Sequence, residues 1–378
     1  MVRSYLCVIA DDQIQVLSVN IERRNSQYGD MEATTRMALL TVGLPVFNAM
    51  PYLPETMTSL LTQTSDDFKI LAIVDDCEDG SVEYMAGLRD ARLSVIFQKR
   101  VGLIPTLNRM LREVDTPWLM RQDADDIAYP QRVERTLEYI KRLPDAGMFS
   151  SIARYYPPER SVGVFRASRG SPVELRAIVQ RGYLLTFCHP SVTLNVAKTL
   201  AVGGYSETLE HAEDADLWWR LAMPYDIEII PEILLGYRQH VGQATTQAMK
   251  QNVVDLLYVQ YLLLSKLWDL MPRSKEAVRP HLEQFVPVRQ LLAKERLRRV
   301  NIRAAEHDFA GAIVFAFGAF AASPWFVMNR LWDEISRKRI IVNGIDPEHF
   351  RTSKAQLWDR SPSALHDEEE LTSSFRKS

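Results

Sequence analysis

From Ala38 onward the chain alternates between unbroken apolar runs and stretches of helical period. Ala38 to Phe47 (ALLTVGLPVF) and Phe68 to Val74 (FKILAIV) are apolar throughout and stop at polar residues, Asn48 and Asp75-Asp76. A strand buried on both faces reads this way, because both of its alternating rows meet a core. Leu93 to Gln98, Trp118 to Arg121 and Ser191 to Val196 continue the series, and Glu228 to Ile230 and Ile233 to Gln239 read as short strands. Between them Leu53 to Leu61, Val82 to Leu88, Ile104 to Val114, Gln131 to Arg142 and Ala212 to Ala222 read as helices, with Pro130 at the entry of the fourth. Strands and helices alternating at short spacing predict an α/β fold, with a Rossmann-like, mostly parallel sheet and helices on both faces. In such sheets the ligand sits beyond the carboxyl ends of the strands. Asn48, Asp75, Asp76, Asp123 and Asp125 all fall there.

Outside this core the pattern changes. Residues 1 to 36 carry little periodicity and Arg23 to Asp30 read as loop, which predicts a disordered N-terminal extension, with Met31 or Met37 as alternative chain starts. The α/β domain is expected over 37–244 and a helical C-terminal region over 245–340, where Leu256, Leu257, Tyr261, Leu264 and Leu267 keep helical spacing. The polar remainder, 341–378, is expected to be largely disordered. Phe309 to Met328 is free of charge and of spanning length, but Ser323-Pro324 divides it. It reads as two packed helices of a helical appendage; the alternative is a hairpin or span at a membrane.

Composition removes several function classes. Of 378 residues, 47% are hydrophobic and 25% charged, and 45 basic side chains face 48 acidic ones. That balance gives no electrostatic footprint of a nucleic-acid binder. Three cysteines, Cys7, Cys77 and Cys188, are far apart in sequence and form neither a disulfide framework nor a zinc spacing. Neither G-x-G-x-x-G nor G-x-x-x-x-G-K-[ST] occurs, which argues against dehydrogenases and P-loop enzymes.

Three acidic clusters remain. Asp123-Ala124-Asp125-Asp126 follows a strand, so the carboxylates of Asp123 and Asp125 can point the same way. Hard oxygen ligands there suit Mg²⁺ or Mn²⁺ bridging to a substrate phosphate; the plainer reading is a helix-capping turn through Asp126. Asp75-Asp76-Cys77-Glu78-Asp79-Gly80-Ser81 ends another strand and could receive a nucleoside, or be a simple acidic turn. Glu213 and Asp214 open a helix, where the dipole favours ionised carboxylates; one of them is a candidate general base, the alternative being capping.

Residues 38 to 242 resemble a family 2 glycosyltransferase of the GT-A fold. The resemblance is carried, in family order, by VGLPVFN (42–48), VDDCEDGS (74–81), RQDADDIAYPQRVERTLEYI (121–140), HPSVTLNVAKTLAVGGY (189–205), EDADLWWRLA (213–222) and YRQH (237–240). It implies that Pro45 and Phe47 line a base pocket, that Asp75 and Asp76 bind the nucleoside, and that Asp123 and Asp125 form the D-x-D motif on ribose and metal–diphosphate. It implies further that Asp214 is the catalytic base, with Glu213 beside the acceptor. Gly102 and Asn108 match the donor-binding N-x-G…N segment, with Arg100 where Asn is usual. Arg121, Arg132, Arg238 and His240 match basic positions that neutralise the diphosphate or complete the metal site. His189 orders the acceptor pocket or packs, and Trp218 and Trp219 read as core and acceptor floor.

The implied activity is single-sugar transfer, hexosyl or related, from a nucleotide-diphosphate sugar to a hydroxyl of a glycan or lipid-linked glycan, with inversion and a Mg²⁺ or Mn²⁺ cofactor. UDP is the expected nucleotide and bacterial surface polysaccharide biosynthesis the expected setting, in the cytoplasm or at the inner face of the plasma membrane, with peripheral membrane contact as an option. The Q-x-x-R-W motif of processive synthases is absent after Asp214, which argues against a polymerase. Two rivals are a sugar-1-phosphate nucleotidyltransferase and a catalytically degenerate GT-A scaffold. The first wants a glycine-rich loop after the first strand, where Pro45 to Pro51 has none; the second is disfavoured by the intact acidic clusters.

Overall fold

The computed structural model describes residues 3–10, 13–20, 38–158, 163–240, 249–305, 307–336 and 341–358. The chain forms two units, 1–37 and 38–378. In the first, β1 (Arg3–Ala10) and β2 (Gln13–Asn20) pair antiparallel with Ala10 opposite Gln13. The described part of this segment is therefore stranded where the sequence predicts disorder. Its signal is the start of QIQVLSVN, where Gln13, Ile14, Gln15 and Val16 alternate at the strand period of two. Residues 21–37 lie outside the described residues.

In the second unit, β3 (Leu40–Val46), β4 (Lys69–Asp75), β5 (Leu93–Gln98), β6 (Trp118–Arg121), β7 (Ile127–Ala128), β8 (Met148–Tyr156), β9 (Val192–Asn195) and β10 (Ile227–Arg238) form one sheet. Its order is β5-β4-β3-β6-β9-β8-β10-β7. β5, β4, β3 and β6 pair parallel, and so do β8 and β10. β9 runs antiparallel between β6 and β8, so those two share a direction; β7 runs antiparallel at the β10 edge. The sheet is thus mostly parallel, and the carboxyl ends of all strands but β7 and β9 emerge at one edge.

Side-chain alternation in β4 assigns the two faces. Ile70, Ala72 and Val74 enter one core with Met57 and Leu60 of α1 (Leu53–Leu61), Met85 of α2 (Ser81–Gly87) and Leu137 and Ile140 of α4 (Arg132–Arg142). Leu71 and Ile73 enter the other with Leu107 and Met110 of α3 (Leu103–Glu113), Ile178 of α5 (Pro172–Gln180) and Leu217 of α7 (Glu213–Ala222). A short helix α6 (Val196–Ala201) follows β9. Cores on both faces explain why the central strands read as continuous apolar runs.

Several elements escape the sequence pattern, β7, β8, α5 and α6 among them. β8 is masked by Ser150 and Ser151, buried serines whose hydroxyls are taken up by Ser191. The two short strands expected at 228–239 are one strand, β10, with irregular register against β8 between Ile230 and Leu235, around Pro231.

The C-terminal region is helical as expected: α8 (Met249–Leu267), α9 (Lys275–Leu282), α10 (Val288–Ala305), α11 (Phe309–Ala322) and α12 (Pro324–Ser336). Leu257, Tyr261 and Leu264 of α8 join the core of α3 and α7. The polar tail needs correction. Its first part forms α13 (Pro347–Thr352) and α14 (Lys354–Leu357), and Phe350, Leu357 and Trp358 are buried. Asn343 exchanges both backbone hydrogen bonds with Leu184, and Trp358 Nε1 donates to Ser265 Oγ at 2.9 Å. Burying a large apolar side chain is worth about 1.5–3 kcal/mol, so three anchors fix a segment that is polar on average. Residues 359–378 lie outside the described residues.

Candidate active site

The residues that follow β3, β4, β6 and β10 emerge at one sheet edge. Phe47 is exposed there, next to half-buried Pro45, and the Arg100 guanidinium lies 3.7 Å from the Phe47 ring centre, a cation–π stack. After β4 the two aspartates part ways. Asp75 is buried, and its carboxylate accepts hydrogen bonds from Gln98 Nε2 and from the backbone N–H groups of Val101 and Gly102, each at 2.9 Å. Asp75 therefore fixes the loop that carries Arg100 into α3, and Gly102 (φ 90°) turns that loop into the helix. Asp76 is exposed, with φ 50°, a left-handed conformation that Asp tolerates better than most residues. Of the pair assigned to the nucleoside, Asp76 is the open carboxylate.

β6 delivers buried Arg121, then the turn Gln122–Asp126 into β7. Arg121 Nη2 donates to Asp123 Oδ1 at 2.5 Å. Asp125 Oδ2 lies 2.9 Å from His240 Nε2, and the His240 ring packs on Tyr52 at 4.6 Å between centres. Asp126 is fully buried; its Oδ1 accepts the Arg238 N–H at 2.8 Å, while its Oδ2 has no hydrogen-bond partner among the described residues. Carboxylate oxygens of Asp123, Asp125 and Asp126 all lie within 4.8 Å of one another. Burial first, then the charges of Asp125 and Asp123, push the Asp126 carboxyl well above the usual range. Asp123 is raised too, by desolvation and by Asp125 against the pull of Arg121. Three carboxylates this close resist simultaneous ionisation without added positive charge. Together with the orphaned oxygen of Asp126, that donor set fits a hard divalent cation such as Mg²⁺ or Mn²⁺.

The neighbouring arginines are engaged within the protein. Arg238 Nε donates to the Asp125 carbonyl at 2.8 Å and Nη2 to Glu55 at 2.5 Å, and the guanidinium lies against the rings of Tyr52 and Tyr156. Tyr156 OH donates to the other Glu55 oxygen at 2.6 Å. Arg238, expected on the diphosphate, is here a clamp on the aspartate turn. Arg132 is buried, donating to Gln122 Oε1 and to the carbonyls of Arg121 (2.8 Å) and Pro190 (2.5 Å); burial pushes its pKa down to about 10. It rivets α4 to β6 and to the turn before β9, and neither Glu134 nor Glu138 is its partner.

α7 begins at Glu213 after Ala212 (φ 60°). Arg220 ties it to the preceding loop by donating to the carbonyls of Val202 (2.6 Å) and Gly204 (2.8 Å) while pairing with Asp216. Asp214 Oδ1 accepts the Ala215 N–H at 2.6 Å. Glu213 lies 3.7 Å from His189 Nδ1, and His189 Nε2 lies 2.9 Å from Tyr205 OH. Burial, then Arg121, holds the His189 pKa well below its usual value, so this contact joins a neutral imidazole rather than an ion pair. Tyr205 is held in turn by Asn108, which accepts its N–H and donates to its carbonyl, each at 2.9 Å; the second amide hydrogen of Asn108 serves Glu207 at 3.0 Å. Asn108, expected on the donor, supports the Glu213 side from behind through Tyr205 and His189.

Burial raises Glu213 to about 8, with Asp214 as the next cause. Burial raises Asp214 to about 6 against the stabilising N–H groups of Ala215 and Asp214 itself. Arg121 and Asp123 act electrostatically on both, so the helix start and the aspartate turn form one site. Trp218 is fully buried and Trp219 Nε1 donates to Asp216 at 3.2 Å, the core role expected of them. Sequence reasoning missed Tyr52, Glu55 and Gln122, which sit at helix starts and turns without periodic signal; it placed Asp126 in the acidic cluster, with capping as the alternative, and did not name it as a metal ligand.

A sequence model described as glycosyl transferase family 2 matches residues 41–195. A glycosyltransferase of Haemophilus influenzae is 30% identical over 219 residues, covering 55% of this chain and 68% of the relative. One of Methanocaldococcus jannaschii is 27% identical over 209 residues, covering 53% and 70%. Among solved structures, a mannosyltransferase from Pyrobaculum calidifontis in complex with GDP-Man and Mn²⁺ is 16% identical, covers 80% of this chain and 88% of its own, and has a TM-score of 0.48.

Proposed function

The chain belongs to the family 2 glycosyltransferases, and from that premise we propose that it moves one sugar, with inversion, from a nucleotide-diphosphate sugar to an acceptor hydroxyl. The observation that carries this reading is Asp214, a carboxyl raised to about 6 that shares its electrostatic surroundings with the Asp123–Asp126 turn. At neutral pH it is ionised yet basic enough to accept a proton. Asp214 takes the proton of the acceptor hydroxyl, whose oxygen forms a bond to C1 as the bond from C1 to the diphosphate oxygen breaks on the opposite face. The transition state is oxocarbenium-like, as in inverting glycosidases, and no covalent enzyme intermediate is required. Glu213, held protonated by burial up to about 8, donates a hydrogen bond to the acceptor.

Phe47, Arg100 and Asp76 receive the nucleoside, with Arg100 and Phe47 offering flat faces to the base. Asp123, Asp125 and Asp126 would hold a divalent cation, and when bound that ion neutralises charge developing on the diphosphate. Arg121 holds Asp123 in place, and His240 orients Asp125. The family resemblance favours UDP as nucleotide and a bacterial surface glycan, free or lipid-linked, as acceptor.

Thermal melting against UDP, GDP, dTDP and CMP, each with Mn²⁺, Mg²⁺ or EDTA, tests the donor half. The expected result is metal-dependent stabilisation by one nucleotide, lost in Asp125→Ala. Sugar transfer by Asp214→Asn at a near wild-type rate would overturn the base assignment.

A further inference from the structure

The last two long helices are packed with their small residues inward. In α11, Ala312 and Ala319 are buried, and Ala319 shares a small cluster with Ala293 of α10 and Val327 of α12. The large residues face outward: Phe309, Ile313, Val314, Phe317 and Phe320 are 46–73% exposed. In α12 Val327 is buried, while Trp325, Met328, Leu331 and Trp332 are 52–76% exposed. No charged residue interrupts 309–328. A helix that faces water presents its polar side outward and buries its large apolar residues. Here the packing exists, but on the alanine side, and the apolar area left outside is contiguous along two helices.

Length and bend decide how such a face can be used. α11 has 14 residues and α12 has 13, each about 20 Å long against about 30 Å of bilayer hydrocarbon. They meet at an angle of 111°, an elbow at Ser323-Pro324 rather than one rod. Among the described residues no single helix is long and apolar enough to cross a membrane.

The helix beneath supplies charge. α10 carries six basic residues, Arg289, Lys294, Arg296, Arg298, Arg299 and Arg303, against one acid, Glu295. Arg299 is exposed and its guanidinium lies over the Phe315 ring of α11 at 5.4 Å; Arg296 donates to the Gly318 carbonyl at 2.5 Å. The Lys294 residue as a whole is exposed, yet its ammonium is desolvated and close to Arg330, Arg298 and Arg166, and these causes together lower its pKa. Across the three helices seven basic residues, Arg330 of α12 included, stand against three acids, Glu295 and the Asp333 and Glu334 of α12, so the excess of positive charge lies on α10.

We infer that the α11–α12 elbow is an interfacial membrane anchor, whose aromatic and aliphatic face enters the headgroup–acyl boundary of an anionic bilayer while the basic residues of α10 meet lipid phosphates. Apolar burial and attraction to anionic lipid together set the strength of such binding. Charge complementarity favours a bilayer over a second copy of the chain. A two-fold contact through this face would bring two cationic α10 helices together, whereas anionic headgroups neutralise them.

The test is co-sedimentation of the full-length protein with pure phosphatidylcholine vesicles and with equimolar phosphatidylcholine–phosphatidylglycerol vesicles. Parallel spectra follow the tryptophan emission with and without brominated lipid. Binding to the anionic vesicles, weakened by salt and accompanied by quenching, is expected. Phe317→Glu and Trp325→Glu are each expected to reduce partitioning about tenfold or more, with the melting temperature unchanged. Absence of binding to either vesicle overturns the inference. So does binding indifferent to both substitutions, or a dimer in solution that the substitutions dissociate without any effect on lipid.

Discussion

The aspartate turn after β6 and the start of α7 are both partly buried acidic clusters that hold carboxyls with raised pKa values, yet the proposed reading gives them opposite purposes. At the turn, Asp123, Asp125 and Asp126 crowd within 4.8 Å, and Arg121, His240 and the Arg238 N–H already hold one oxygen of each. Of the three oxygens left over, that of Asp126 is buried without a hydrogen-bond partner among the described residues, which favours added positive charge there. At the helix start, Asp214 is supported by a backbone N–H and Glu213 faces a neutral His189. Among the described residues no cation touches them directly, and on the proposed reading these groups trade protons near neutral pH. On the proposed reading the same residue types serve as a cation cradle in one place and a proton acceptor in the other, and their neighbours make the difference.

Substitutions that interchange these characters test the contrast. The largest effect is expected at Asp214: Asp214→Asn keeps shape and removes the base, and turnover should fall about 10³-fold or more while nucleotide binding survives, as followed by product formation and calorimetry. Next comes Asp126→Asn, which should abolish the metal-dependent part of nucleotide binding and lower turnover about 10²-fold. Since Asp126 is raised well above the usual range, the variant should melt no lower than wild type without metal.

A smaller effect is the pH profile. A base raised to about 6 is protonated and inactive below that pH and ionised above it. The rate should therefore climb through about pH 6 to a plateau, and an inflection that persists in Asp214→Asn would reassign the base. The smallest is stability. Glu213 is raised from 4.5 to about 8. Its protonated form favours the folded state fully below pH 4.5, and that contribution is gone once pH exceeds about 8. Glu213→Gln should then match wild type near pH 4 and melt about 2–4 °C higher at pH 8, by differential scanning calorimetry.

How much was legible beforehand differs between fold and site. β3, β4, β5 and β6 announce themselves as apolar runs, and Asp75, Asp76, Asp123 and Asp125 lie at their ends, so the location of the site follows from strand direction. The duties of individual residues do not. Asp75 and Asp76 are adjacent and alike in sequence, yet one is saturated by the β5–α3 loop and the other is open. Arg132 and Arg238 look like free cations for a phosphate, but one is buried among carbonyls and the other is tied to Glu55. Asn108 reads as a donor contact, and its amide is engaged with Tyr205 and Glu207.

The sequence by itself determined the α/β sheet with its two covered faces, the edge at which ligands meet the strands, and the helical C-terminal region. Those follow from periodicity and from where polar residues interrupt it, which are local properties of the chain. Only the tertiary structure decided that Asp126 is buried with one oxygen unpartnered among the described residues, that Asn108 and Arg132 act from behind, that Phe350 and Trp358 pin the polar tail, and that α11 turns its phenylalanines outward. Each depends on which groups from distant segments compete for one hydrogen bond or one patch of core. That competition is settled by three-dimensional neighbours, and spacing along the chain carries no record of it.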